Sequence, residues 1–357
     1  MKVGIFGLPG SGKTSLWCLL TESLDGPDPS MIGKLQSRAV KVNDARLERL
    51  RDDYQPKKYT PATVEICDFP PINVDANDRA GLAQLLTPAR NMDALLIVLR
   101  DFENDLMAPH LGTIDPTKEW EEIQAEFLLS DLAIVEKRVE KLEVQVKKPT
   151  PTQDQDKKEL ELLTRLRTHL EQEKPLLDFE FKSDELKRIT GFQFLSQKPM
   201  VPVINRGEAP PTAERLQEIE KATGRPVFAV AAANEFEILQ LSPEDQEEFR
   251  SEFSIEPGTR DRIIAACYTA TGLISFFTCG DKEVRAWTIH KSDVAVVAAE
   301  QIHSDIARGF IRAETVSYDD YAANSGLKGA KEKGQLRLEG KEYVVQDGDI
   351  IEFRFNV

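Results

Sequence analysis

The residues with the most specific chemistry stand near the start of the chain. Gly7-Leu8-Pro9-Gly10-Ser11-Gly12-Lys13-Thr14 matches G-x-x-x-x-G-K-[ST] in full, with Ser15 next. Glycines at these spacings let backbone N–H groups converge on an anion, because no Cβ blocks the approach. The pattern places Lys13 at the β and γ phosphates of a nucleotide, which makes it the candidate catalytic residue, and the Thr14 hydroxyl on Mg2+. Asp68 closes an apolar run at 64–67, the position from which a carboxylate holds Mg2+ through water. Two later loops suit a base: Asn205-Arg206-Gly207-Glu208 and Ala231-Ala232-Ala233-Asn234. In an Asn-Lys-x-Asp loop the Asp carboxylate reads the guanine edge. Glu208 is longer by one methylene, so that contact would shift by roughly one bond length. Without a base, the same two stretches read as ordinary loops.

These residues need elements to carry them. Nearly continuous apolar runs at 3–6, 64–67, 94–99, 200–204 and 227–230 read as strands of a parallel sheet buried on both faces. Helical patterns intervene, so the class is α/β. Leu128, Leu132, Val135, Val139, Leu142 and Val146 step by fours and threes, a heptad seam. Pro149 and Pro151 break it, and Leu160, Leu163, Leu166 and Leu170 form a second stripe. An antiparallel coiled-coil hairpin fits; two ordinary amphipathic helices are the plainer reading. Toward the end, 283–289 alternates with period 2, 302–308 looks helical, and Tyr343-Val344-Val345, an Asp347-Gly348 turn and 350–355 read as strand, turn, strand. The expected modules are a nucleotide domain at 1–114 and 197–272, a helical insertion at 115–196 and a small α+β module at 273–357.

Composition excludes several classes. The 357 residues carry 46 Lys and Arg against 61 Asp and Glu, a net charge of −15. Bulk charge therefore does not coat nucleic acid. In 273–357 the balance is 11 against 14, although Lys328, Lys331, Lys333 and Arg337 could touch phosphates locally. Cys18, Cys67, Cys267 and Cys279 form no Cys-x-x-Cys pair, and His110, His169, His290 and His303 show no metal-ligand spacing. No apolar run approaches the roughly 20 residues of a membrane span. No signal peptide or prenylation pattern is read at either end, so a reducing cytoplasm is expected.

The chain resembles the Obg-like ATPases, the YchF family of the P-loop GTPase superfamily. The similarity rests on Phe276-Phe277-Thr278, on Lys282 through Ile289, on Ile302-His303-Ser304-Asp305 and on Arg308 through Glu314. Val344 through Asp349, the ending Phe353-Arg354-Phe355-Asn356-Val357, the stretch from Gln55 to Glu65 and Asn205-x-x-Glu208 add to it. The resemblance implies a P-loop G-type domain with a mostly parallel sheet, an inserted coiled-coil hairpin and a TGS-like α+β tail. It implies binding and hydrolysis of ATP rather than GTP with Mg2+, and a ribosome or RNA partner; neither DNA nor a membrane is expected. Gly7 through Ser15, Asn205, Glu208, Ala232 and Ala233 would bind nucleotide, and Thr14 and Asp68 the metal.

Two departures bear on turnover. The family's Asp-x-x-Gly switch is here Asp68-Phe69-Pro70-Pro71, followed by Ile72-Asn73-Val74-Asp75, and the segment before Gly81-Leu82 is shortened. The Gly offers an N–H to the γ-phosphate; Pro71 has none. Gly10 replaces the family's Asn, and no obvious water-positioning residue lies near Asp68. The expectation is a Mg-dependent, ATP-preferring, ribosome-associated switch with slow turnover. The alternatives are a nucleotide-binding scaffold with little or no hydrolysis, and a GTPase.

Overall fold

The structure, a computed structural model, describes residues 1–24, 34–72, 79–182 and 184–356. Asn73, Val74, Asp75 and Val357, named above, lie outside the described residues. In chain order the strands are β1 (Lys2–Phe6), β2 (Gln36–Lys41), β3 (Lys58–Thr60), β4 (Thr63–Asp68), β5 (Ala94–Asp101), β6 (Met200–Arg206), β7 (Phe228–Val230), β8 (Leu273–Cys279), β9 (Glu283–His290), β10 (Phe310–Ser317), β11 (Arg337–Glu339) and β12 (Asp349–Phe355). Two compact units emerge: Met1–Arg38 with Glu65–Ile263, and Ala39–Val64 with Ile264–Val357.

The first unit is built on a sheet of order β2-β4-β1-β5-β6-β7. From β4 to β7 every pairing is parallel, as continuous apolar runs require when helices cover both faces. Sequence places the ends of β5 and β6 at Leu99 and Ile204. The ladder runs on through Arg100↔Asn205 and Asp101↔Arg206, because Arg100, Asn205 and Arg206 are buried with hydrogen-bond partners. After β1 the chain goes to β4 on one side and then to β5 on the other. The C-terminal end of β1 is therefore a topological switch point, where open α/β sheets bind ligands.

The helix Pro116–Gln145 starts with Asp115 accepting from the N–H groups of Thr117 and Lys118, and with proline in its first turn. Its first turns bring Trp120, Ile123 and Phe127 into the core with Phe6, Leu8, Ile97 and Ile204. Further along, Leu128, Val135, Val139 and Leu142 pack against Leu162, Leu163, Leu166 and Leu170 of the helix Gln153–Glu171. The connection at 146–152 is short, so the second helix returns antiparallel to the first, and Arg138 grips Glu159 with two bonds of 2.7 Å. The base of this hairpin is fixed by Asp131, which is fully buried. Its carboxylate accepts from Arg90 Nη1 at 2.6 Å, from the N–H groups of Leu195 and Ser196, and from Ser196 Oγ.

The second unit holds a mixed sheet, β11-β10-β12-β8-β9-β3, with β12/β8 and β9/β3 parallel. The helix expected at 302–308 stands at Ser304–Arg308, capped by the His303 side chain, and a further helix, Ala295–Ile302, precedes it. The expected strand at 343–345 is a single bridge, Val294↔Val344. β12 instead lies between β10 and β8, while Asp349 fixes the preceding turn by accepting from Tyr343 Oη and the Gln346 N–H.

Asp131→Ala leaves the N–H groups of Leu195 and Ser196 without their acceptor and takes the anionic partner from the half-buried Arg90 guanidinium, so urea unfolding is expected to show a loss of about 3 kcal/mol. Glu121→Ala, on the exposed side of the same helix, is expected to stay within about 0.5 kcal/mol. Matching unfolding midpoints for the two variants would refute the role given to Asp131.

Candidate functional site

The loop Gly7–Gly12 turns tightly from β1 into the helix Lys13–Thr21. Gly10 and Gly12 have φ of +77° and +85°, a region that side chains disfavour. A Cβ on Gly7 would lie 2.6 Å from both Ser11 Oγ and Val98 O, and one on Gly12 would strike Asn205 Nδ2. Lys13 is buried and donates from Nζ to the Leu8 carbonyl at 3.1 Å. Burial lowers its pKa to about 8, against the pull of Asp68 and Glu119.

Trp17 fixes this helix to β4 by donating from Nε1 to the Ile66 carbonyl at 3.2 Å. That sets Thr14 Oγ1 3.3 Å from Asp68 Oδ2. Burial raises the Asp68 pKa, opposed by Lys13 and by the Thr14 bond. The other oxygen, Oδ1, is buried and has no hydrogen-bond partner among the described residues. An orphan carboxylate oxygen beside a hydroxyl is a donor set that suits a hard cation. No group of three or more His, Cys, Asp or Glu side chains placed to hold a metal occurs among the described residues. A cation here would therefore draw its other ligands from water and phosphate.

Asn205, at the end of β6, joins the two sides of the site. Its Nδ2 donates to the Ser11 carbonyl at 3.0 Å and its Oδ1 accepts from the Ala232 N–H at 3.1 Å. Arg206 beside it donates to the carbonyls of Gly207, Glu208, Phe253 and Ser254, and Glu208 stands at the exposed rim. Glu235 accepts from the Ala231 N–H, and burial pushes its pKa up to about 7.

These elements surround a cleft of about 720 Å³, within the range of small-molecule sites. Pro9, Gly10, Gly12, Lys13, Thr14, Ser15, Asp68, Asn205, Glu208 and Ala233 line it. Gly7, Leu8, Ser11 and Ala232 stand behind it and act through backbone groups: the Gly7 carbonyl accepts from Ile72, the Leu8 carbonyl from Lys13, the Ser11 carbonyl from Asn205, and the Ala232 N–H donates to Asn205.

One wall is not apparent from motif spacing. Phe102, Glu103, Asn104 and Met107 line the cleft from the loop after β5. Arg100 shapes that loop: it is fully buried and donates to the carbonyls of Phe102, Met107 and Ala108. Its guanidinium lies 4.8 Å from the Phe102 ring centre. The available signal was an arginine directly following an unbroken apolar strand.

The geometry can be set beside known proteins. A protein from Bacillus subtilis described as "Ribosome-binding ATPase YchF" is 38% identical over the full length of both chains. The chain belongs to the YchF family. A like-named protein from Haemophilus ducreyi is 37% identical, covering 100% of this chain and 99% of its own. A family model described as "YchF-GTPase_C: Protein of unknown function (DUF933)" matches residues 273–356. The solved Schizosaccharomyces pombe YchF GTPase superposes with a TM-score of 0.82 at 25% identity, over 99% of this chain and 97% of that one. As a YchF-family chain, this protein has the α/β architecture with an inserted helical hairpin and a C-terminal module. No helix among the described residues is long and apolar enough to cross a membrane.

A buried acid stands behind the phosphate loop. Glu119, 1% exposed, accepts from the Arg100 N–H at 2.8 Å. Burial raises its pKa to about 7, opposed by the Arg100 bond and charge and by Lys13. The native state therefore keeps a proton that the unfolded chain releases near pH 4.5. This contribution to stability is largest below pH 4.5 and is lost as pH rises to 7. Glu119→Gln removes the penalty while keeping an acceptor. It is expected to lie within about 1 kcal/mol of the native chain at pH 5 and to exceed it by about 3 kcal/mol at pH 8. Urea unfolding at both pH values checks this; an equal or less stable variant at pH 8 would contradict it.

Proposed function

We propose that the chain binds a nucleoside triphosphate with Mg2+ in this cleft and acts as an ATP-preferring, ribosome-associated ATPase in the cytoplasm. The observation that carries the reading is Asn205, which ties the phosphate loop to the loop at 231–232 beside the Thr14–Asp68 pair. Phosphates and base thus have adjoining places. Converging N–H groups and the Lys13 ammonium suit the phosphates, and Lys13 would stabilise charge on the γ-phosphoryl group. Thr14 and Asp68 would hold Mg2+, which when bound neutralises phosphate charge. The Phe102 ring and the Ala233 loop suit an apolar base face.

Support for ATP over GTP comes from Glu208. It is exposed at the rim, and its reach differs from that of the aspartate that grips guanine. The printed descriptions of the Bacillus and Haemophilus relatives, both ribosome-binding ATPases, support the ribosome as partner. A second reading, a nucleotide-binding scaffold with little turnover, draws support from Pro70 and Pro71 in the cleft wall.

Calorimetric titration is expected to give micromolar MgATP binding, weaker GTP binding, and a loss of more than about 100-fold in Lys13→Ala. A turnover assay with and without ribosomes separates the two readings. ATP hydrolysis abolished by Lys13→Ala supports the ATPase, and binding without turnover supports the scaffold. Failure to bind either nucleotide would sink both, and tighter GTP binding would overturn the ATP preference.

A further inference from the structure

Four consecutive residues follow Asp68, the first three of them in the wall of the cleft, and their backbone donors are all accounted for. The Phe69 N–H donates to the Ile5 carbonyl at 3.3 Å, and the Ile72 N–H to the Gly7 carbonyl at 3.1 Å. Pro70 and Pro71 have no N–H to offer. The two outer residues are also anchored by their side chains. Phe69 is buried, with its ring stacked on Phe6 at 4.3 Å between centres, and Ile72 is fully buried in the same core. Swinging either N–H toward a ligand would expose an apolar side chain and break a bond to β1 or to the phosphate loop. Phe69, Pro70 and Pro71 all line the cleft, but only the two prolines are free of these anchors, and they carry no donor.

The γ-phosphate is all that distinguishes a nucleoside triphosphate from the diphosphate. In switch-type nucleotide hydrolases its contacts order the loops that report the nucleotide state. Here the segment placed to make such a contact donates inward to β1 and Gly7. Among the described residues, the N–H groups of the phosphate loop and Lys13 Nζ are donors that also serve the β-phosphate, which both nucleotides carry.

We propose that this cleft recognises nucleotide without reading the γ-phosphate through the 68–72 segment, so that MgADP and MgATP bind with similar affinity. This rests on the nucleotide-binding reading above. Loss of the γ-phosphate then does not by itself release nucleotide or reset this wall. Pro70 and Pro71 are specificity-determining residues through the donors they lack.

The test is calorimetric titration of the full chain with MgATP and MgADP. The two affinities are expected to agree within about fivefold, since one N–H bond to a charged oxygen is worth roughly tenfold or more. Pro71, exposed to solvent, can be replaced without opening the core. Pro71→Gly supplies the missing N–H and is expected to tighten MgATP by about tenfold while changing MgADP by less than about twofold. Pro71→Ala, with the same N–H and less backbone freedom, should move in the same direction. Lys13→Ala should remove both signals and so assign them to this cleft. A native chain preferring MgATP by more than about thirtyfold would overturn the proposal. So would an unchanged ATP-to-ADP ratio in both Pro71 variants. If the native chain binds neither nucleotide, the nucleotide-binding reading fails and this one with it.

Discussion

The site depends on one side-chain amide. Asn205 offers a donor and an acceptor in opposite directions, and the fold uses both: one toward the phosphate loop, the other toward the start of the helix Ala232–Ile238. Because it is buried, neither bond is traded cheaply for water. Gly12 must be glycine partly because this amide occupies the space a Cβ would need. The phosphate-type loop, the end of β6 and the loop at 231–232 are thus set by a single residue, and Thr14, which bonds Asp68, sits on the helix that the first of these loops begins.

Around this amide the protein buries more charge than stability alone would select, since a buried ion is costly unless its partners are complete. Arg100 is answered by three carbonyls and Arg206 by four. In each case a cation organises irregular backbone that lacks a ladder of its own. Asp131 works with the opposite sign, gathering N–H groups where the chain leaves the hairpin for β6. Glu119 is the least completely answered: burial outweighs its partners.

Much of this was legible in sequence, and the reasons are local. The glycine spacing before Lys13, the apolar runs and the heptad seam are short-range patterns with direct structural meaning, and the five parallel strands and the hairpin stand where those patterns put them. Asn205 was legible as a loop residue, but its clamp was not, because Ser11 lies 194 positions away. The wall from Phe102 to Met107 was missed because a buried arginine, not a motif, creates it. Nothing periodic marks residues 39–64 as packing with 264–357 rather than with their neighbours in sequence. The Asp347-Gly348 turn forms before β12, with Gly348 at φ +85°, but the strand expected at 343–345 does not, because β12 pairs with β10 and β8 instead.

The helix Pro116–Gln145 adds a mechanical consequence. It is continuous for 30 residues, which makes it about 45 Å long. Its first turn, at Glu119, is bonded to the strand end that carries Arg100, while its far end forms the tip of the hairpin. Such a rod is a lever whose root is bonded to the end of β5, the strand that leads into the Phe102–Met107 wall of the cleft. A tilt of about 10° at the root would carry the tip through roughly 8 Å, a displacement large on the scale of the bonds that set it in motion.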